Sequence, residues 1–278
     1  MKDLISVIIT TRNRILKVER AICSVLNQTY NNIEIIVVDD FSNDGTFEYI
    51  KNKFPSIIII RNKKKLGGSG SRNIGIKKSN GLYISFLDDD DYFRKDKIEI
   101  QYNTYLKEKN SSLITSKFIN LNKNKTLKSK SFQNKLNKGF YYKNIYGGTS
   151  NYFLSKKMIN KVDGFDENLK SAQDWDFAYR LSKLGNVHEC SEFLVFYEND
   201  NNSKRISNSV FSTYCGHRDI YLKHKLSMNR INKNKLLFQI LYFRALIYKR
   251  NRFLLIHKVL QKTDFLFYFK SIIKYYLI

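Results

Sequence analysis

Tyr83-Ile84-Ser85-Phe86-Leu87-Asp88-Asp89-Asp90-Asp91 is the stretch on which the fold turns. A short apolar run broken off by charge reads as a buried strand. Four aspartates leave its carboxyl end together. In water they repel one another, so a fold that gathers them needs a counter-charge, and a divalent cation is the natural one. Aspartate oxygens are hard ligands suited to Mg2+ or Mn2+, ions that also bind phosphate oxygens. A metal-bound diphosphate is one reading of the stretch and a solvated acidic turn is the other. Taken alone, it divides evenly between them.

The flanking sequence separates the two. Leu4 to Thr10 is a β-branched run read as a buried strand, and Leu16 to Asn27 places Val18, Ala21, Ile22, Val25 and Leu26 at helical spacing. Glu34 to Val38 is a second strand, ending in the turn-rich Asp39-Asp40-Phe41-Ser42-Asn43-Asp44-Gly45-Thr46, which caps the next helix. Ile57 to Ile60 is a third strand, Ser71 to Lys78 a short helix and Leu82 to Leu87 a fourth strand. Apolar strands alternating with helices predict an α/β fold with a mostly parallel sheet covered on both faces. Such sheets bind ligands beyond the carboxyl ends of their strands. Thr10-Thr11-Arg12, Asp39-Asp40 and Asp88 to Asp91 all lie at those ends, so the solvated-turn reading loses ground.

Further along, Asn120 to Lys138 is rich in Lys and Asn and reads as a mobile excursion. Gly147-Gly148-Thr149-Ser150 reads as a loop, and Gln173 to Leu184 as a helix with Trp175, Ala178, Tyr179 and Leu181 placed to pack. No internal repeat is visible. From about Lys233 the sequence alternates aromatic runs, Leu236 to Phe243 and Phe265 to Phe269, with Lys249, Arg250, Arg252, Lys258, Lys262, Lys270 and Lys274. Asp264 is the one acid there. That composition suits an interfacial helix, and equally a helical subdomain with a basic outer face; the two are compatible. The expected division is residues 1–225 as the main domain and 226–278 as a basic aromatic helical segment.

The chain has 278 residues, 49 basic and 25 acidic, for a formal net charge of +24. Such a balance points to an anionic partner: nucleic acid, an anionic membrane surface or a phosphorylated substrate. Drift in an AT-rich genome explains it as well, since the chain is rich in Lys, Asn and Ile and has one proline, Pro55. Cys23, Cys190 and Cys215 are widely spaced, show no metal-ligand pattern and are odd in number, which fits a reducing cytosol. Met1-Lys2-Asp3-Leu4 runs straight into a strand with no secretory signal expected, and no apolar stretch reaches the length of a membrane span.

The ordered set Ser6 to Asn13, Glu34 to Thr46, Gly67 to Gly75, Ile84 to Asp91, Gly164-Phe165-Asp166-Glu167 and Gln173-Asp174-Trp175-Asp176 resembles the family 2 glycosyltransferases with a GT-A fold, of the inverting, non-processive bacterial type. The match covers roughly residues 4 to 200. No Gln-x-x-Arg-Trp motif is present, so the processive polysaccharide synthases fit poorly.

The resemblance implies roles. Thr10, Arg12, Asp39 and Asp40 form the nucleobase pocket, with one of the two aspartates accepting the imide N–H of uracil; a helix N-cap is the competing role for Asp40. Gly67 to Gly75 is neither a P-loop nor a complete GxGxxG, and by itself reads as a mobile turn; the resemblance makes Gly68, Arg72 and Asn73 donor contacts, with Arg72 on the diphosphate. Asp88 and Asp90 are the D-x-D pair: Asp90 binds Mg2+ or Mn2+, and Asp88 serves the ribose or metal-bound water. Asp89 joins the donor-binding set, while one of Asp89 and Asp91 faces away or caps the following helix. Asp174 takes the position of the catalytic base, with an N-cap carboxylate as the competing role and Asp176 as second choice. Glu often precedes that base; here Gln173 does. His188 and His217 are isolated and receive no role. Relatives often carry a His after the strand near Phe193 to Tyr197; here Asp200 stands in that region.

The expectation is an inverting, metal-assisted transferase acting on a nucleotide sugar, in first place a UDP-sugar. Its acceptor would be a hydroxyl on a surface-glycan or lipid-linked molecule. The basic C-terminus would hold it peripherally at the inner face of the cell membrane. A sugar-nucleotide nucleotidyltransferase and a non-catalytic polyanion-binding protein are the rivals. The first usually carries an N-terminal glycine-rich signature that is missing here, and no nucleic-acid recognition motif supports the second.

Overall fold

The computed structural model describes residues 2–122, 125–129, 131, 142–199 and 209–247. The chain runs β1 (Ile5–Thr11), α1 (Ile15–Leu26), β2 (Ile33–Asp39), α2 (Thr46–Lys53), β3 (Ile58–Arg61), α3 (Gly67–Lys78), β4 (Tyr83–Asp88) and β5 (Asp91–Phe93). It continues through α4 (Lys97–Lys107), β6 (Ser111–Asn122), β7 (Lys125–Lys128), β8 (Phe153–Ser155), α5 (Lys156–Lys161), α6 (Gln173–Ser182), β9 (Asn186–Asn199), α7 (Val210–His224) and α8 (Arg230–Ile247).

The strands form one sheet in the order β3-β2-β1-β4-β8-β6-β9-β5, with β7 paired to β6. The first four are parallel, as their uniformly apolar sequences predict. β8 joins β4 antiparallel, and β6 and β9 run parallel over a long, bulged ladder. Alternation along β1 feeds both faces. Ile5, Val7 and Ile9 pack with Val18, Ala21, Ile22 and Val25 of α1 on one side. Ile8 packs on the other with Ile84, Phe86, Ile76 of α3 and Phe177, Ala178 and Leu181 of α6. Register sets the rim: Thr10 lies opposite Val38 and Asp88, and Thr11 opposite Asp39.

Two expectations change. The glycine-rich stretch is no loop, because α3 begins at Gly67. Its N-terminus is fastened from a distance: Asp40 accepts the N–H groups of Leu66 at 2.7 Å and Gly67 at 2.9 Å. Gly75 is demanded by packing, since a Cβ there would lie 2.5 Å from Cγ2 of Ile8 on β1. The excursion expected from Asn120 starts inside β6, whose last residues pair with β7; residues 132–141 lie outside the described ones.

α7 and α8 form a second compact unit together with residues 142–143 and 169–172, where the expected boundary at residue 225 would have kept α7 with the sheet. Ser209 caps α7 through the N–H of Ser212, and His217 of α7 meets the ring of Phe243 of α8 at 5.3 Å. Among the described residues no helix is long and apolar enough to cross a membrane. Residues 248–278, most of the basic aromatic segment, lie outside the described residues.

Candidate active site

The four aspartates do not share one environment. Asp88 ends β4 with its side chain 33% exposed, whereas Asp89 and Asp90 are 6% and 11% exposed. Asp88 thus presents the most open carboxylate at the rim. It accepts Nη2 of Arg72 at 2.5 Å and the hydroxyl of Thr149 at 3.1 Å. Asp89 accepts Nη1 of Arg14 at 2.8 Å and Oγ1 of Thr11 at 2.9 Å. Burial still pushes its carboxyl up to about 6, with Arg14 opposing and Asp90 reinforcing the shift. Asp90 has Nη1 of Arg14 at 3.4 Å, and its backbone carbonyl accepts from Arg20. Asp91 is buried in β5 and accepts Oγ of Ser150 at 2.7 Å, while the residue at the N-cap of α4 is Asp96.

The counter-charge that the cluster requires is therefore partly supplied by guanidinium groups. Arg12, expected at the rim, is exposed in the turn after β1, and Arg14 is the arginine that reaches the aspartates. Nothing in the local sequence separates the two. The donor chemistry nevertheless fits a hard divalent cation. Such ions are commonly held by one or two carboxylates plus substrate phosphates. That is all Asp88 and Asp90 would provide, and no cluster of three or more metal-binding side chains occurs among the described residues.

At the end of β2, Asp39 is fully buried. It accepts the hydroxyl and, at 3.3 Å, the N–H of Ser42, with Nε of Arg61 at 3.7 Å. Burial raises its carboxyl, against those bonds and Arg61. Asp40 does act as a helix cap, but of α3 and not of the α2 that follows it, and Asn62 donates to it as well at 3.0 Å. Thr10 is half-buried at the rim beside them. Phe41, between Asp40 and Ser42, is 48% exposed and has φ 61°, a conformation a bulky side chain rarely adopts.

On α3, Arg72 is buried with its guanidinium on Asp88 and over the ring of Phe165 at 5.4 Å. Gly68 makes room for this: a Cβ there would lie 2.9 Å from Nη1 of Arg72 and 3.3 Å from Oε1 of Gln173. Within the chain, Asn73 also has a structural task. Its Nδ2 donates to the Phe165 carbonyl and to Glu167, and its Oδ1 accepts the Phe165 N–H, which holds the Gly164-to-Glu167 turn.

Asp174 sits in the first turn of α6. Burial raises its carboxyl above the usual range, Arg72 pulls it down and Asp88 pushes it up, so all three groups share one electrostatic neighbourhood. Asn144 donates to its Oδ2 at 2.8 Å. Asp176 is fully buried and ion-paired with Arg180, which suits a structural carboxylate. His188 lies 3.6 Å from Glu108, far along the sheet from the rim, and Asp200 lies outside the described residues.

Sequence reasoning missed the segment 144–151, which no charged or nucleophilic pattern marks. It touches Asp174 through Asn144, Asp88 through Thr149 and Asp91 through Ser150. It is fastened in turn by tyrosine hydroxyls: Tyr197 accepts the Gly148 N–H at 3.0 Å, and Tyr152 donates to the Gly147 carbonyl at 2.8 Å.

A mostly parallel sheet with acidic side chains at its carboxyl rim and a carboxylate on a following helix is the GT-A-like arrangement, and solved structures of that fold superpose on the chain. Staphylococcus aureus TarS 1–349 in complex with UDP-GlcNAc does so with TM-score 0.67 at 19% identity, covering 89% of this chain and 74% of that one. The mannosyltransferase PcManGT of Pyrobaculum calidifontis, in complex with GDP-Man and Mn2+, does so with TM-score 0.63 at 15% identity, covering 94% and 75%. The Glycosyl transferase family 2 profile matches residues 6–165, and the chain belongs to that family. An uncharacterised glycosyltransferase of Haemophilus influenzae is 30% identical over 182 residues, 64% of this chain and 62% of that protein. Escherichia coli WfaP, a UDP-Glc:alpha-D-GlcNAc-diphosphoundecaprenol beta-1,3-glucosyltransferase, is 43% identical over 108 residues, 38% of this chain and 43% of that protein. The matches span less than two thirds of these curated relatives, and as little as 15% of a Rickettsia bellii one.

Proposed function

We propose that this chain is an inverting glycosyltransferase that moves a sugar from a UDP-sugar to a hydroxyl of a surface-glycan or lipid-linked acceptor. The observation that carries the reading is the meeting of three groups at the rim: Asp88, the Arg72 guanidinium 2.5 Å from it, and the Asp174 carboxylate whose charge both perturb. A base, a cation for a leaving diphosphate and a metal-seeking carboxylate are what such a displacement needs. The donor choice leans on WfaP and TarS, whose names carry UDP-Glc and UDP-GlcNAc.

Asp174 takes the proton of the acceptor hydroxyl as its oxygen attacks the anomeric carbon. The C–O bond to the diphosphate breaks on the opposite face, so configuration inverts. A carboxyl raised by burial is a better base near neutral pH than an exposed aspartate. Arg72 turns part of its charge from Asp88 to the diphosphate. Asp90, with Asp88 beside it, would hold Mg2+ or Mn2+, which when bound neutralises charge on the departing nucleoside diphosphate. Asp39 and the turn after it, with the strained Phe41, would form the wall for the nucleobase.

The test is nucleoside diphosphate release from a panel of UDP-, GDP- and dTDP-sugars with Mg2+ or Mn2+. Asp174→Asn is expected to lose on the order of 1,000-fold or more in turnover while binding donor almost as the parent does. Wild-type turnover by that variant would remove the base, and pyrophosphate as the product would indicate a nucleotidyltransferase instead. Membrane association belongs to the same proposal, because basic residues near an anionic surface contribute about 1 kcal/mol each. The full chain is expected to float with anionic liposomes and a chain lacking residues 233–278 to stay behind; equal flotation removes the anchor.

A further inference from the structure

We propose that Asn144 is the positioning residue of the base, and that the segment 144–151 sets the geometry between the base and the acidic cluster. The inference deepens the reading of Asp174 and rests on it. Asn144 uses its whole amide. Its Nδ2 donates to Oδ2 of Asp174 and to the carbonyl of Gly147, each at 2.8 Å, and its Oδ1 accepts the N–H of Tyr146 at 3.0 Å. An amide held on three sides cannot rotate freely, so the proton it offers Asp174 has a fixed direction.

The rest of the segment explains why that direction is meaningful. Four residues after Asn144 the backbone is pinned by Tyr197 at Gly148. Thr149 then grips Asp88 and Ser150 grips Asp91. The fully buried Tyr152 donates to the Gly147 carbonyl and, at 3.3 Å, to the backbone carbonyl of Asp174. Gly147 allows the turn with φ 80°. One short piece of chain therefore holds the proton acceptor at one end and, at the other, Asp88, which stands with Asp90 at the proposed cation site. A displacement needs those two ends in line, and an error of about 1 Å costs about 100-fold in rate.

The charged and titratable groups that act on the Asp174 carboxylate are Arg72 from α3, Asp88 from β4, Tyr152 before β8 and Tyr197 from β9. Asn144 is neutral and adds a donor to the ionised form. Its removal takes a side-chain donor from the ionised form and leaves the backbone N–H groups of Trp175 and Asp174, so the carboxyl is held in a less fixed direction and keeps its proton more tightly.

The experiment measures nucleoside diphosphate release by donor hydrolysis, in which water replaces the acceptor hydroxyl, using the most active nucleotide sugar of the panel. Asn144→Ala is expected to lower kcat about 10- to 100-fold with the donor KM within about twofold of the parent, and to move the acid limb of kcat to higher pH. Asn144→Asp keeps the shape and the acceptor for Tyr146 but puts a carboxylate beside Asp174, so its acid limb moves further in the same direction. It also guards against a misfolded alanine variant. An unchanged kcat and acid limb in either folded variant overturns the proposal, as does a loss confined to donor KM or thermal stability. Turnover retained in Asp174→Asn, or absent from the unaltered chain with every donor, sinks the parent reading instead.

Discussion

Two places in this protein hold charge where water is scarce, and they do so in opposite ways. At the rim, like charges are crowded together and answered across elements, by Arg14 from the turn before α1 and Arg72 from α3. In the core, Lys97 is fully buried with its Nζ 2.7 Å from Oγ of Ser85 and 3.9 Å from the ring centre of Phe93. No carboxylate pairs with it among the described residues; the ionisable group facing it is the Cys190 thiol. Burial accordingly drives its pKa well below the ordinary lysine value. The rim retains charge through partners; the core disfavours it.

Three substitutions bear on that contrast. The largest effect is expected from Asp90→Ala, which takes away the carboxylate that would hold the cation: metal-dependent nucleoside diphosphate release should fall about 1,000-fold. Release that is equally dependent on Mn2+ in the variant would detach the acidic cluster from metal binding. Arg14→Ala comes next. It leaves the 6%-exposed Asp89 without its guanidinium, and stability in urea should fall by about 2–3 kcal/mol at pH 7. A carboxyl whose folded pKa lies above its unfolded value contributes stability below the unfolded value and loses it as pH rises through about 6. The deficit should therefore shrink between pH 7 and pH 5; a constant deficit would mean that Arg14 matters for packing alone. The smallest effect is Lys97→Met, expected to stabilise by about 1 kcal/mol, or about 2–4 °C in Tm. With a depressed folded pKa, the unfolded chain binds more protons from the folded value up to the ordinary lysine range, so wild-type stability climbs with pH across that window. The methionine variant should show a flatter climb, and an identical slope would show that Lys97 is not the cause.

The parallel half of the sheet was legible because its strands are short apolar runs ended by turn signals, and their carboxyl ends placed the acidic clusters correctly on one rim. What stayed hidden depends on partners remote in sequence. Gly67 starts a helix against its own low propensity because Asp40, 27 residues earlier, takes its N–H. Asn73 shows no structural task in the sequence, yet Phe165, 92 residues on, accepts its amide. Arg12 and Arg14 look alike in the sequence, and only the path of the chain into α1 selects the second. Asn144 sits in an aromatic-rich stretch with no periodicity, and its meaning exists only beside α6. The pairing of β6 with β9 likewise joins residues such as Ile114 and His188, which no local pattern links.

The grip of Asp40 on the start of α3 reaches beyond folding. The positive end of a helix is where proteins commonly seat a phosphate. Here that seat already has an occupant from within the chain, bound through Leu66 and Gly67. Of the glycines on this helix, Gly75 lets it lie close against β1 and Gly68 makes room for the Arg72 guanidinium. Any anion that this rim takes up must therefore be held by side chains, where single replacements can retune binding without redrawing the main chain.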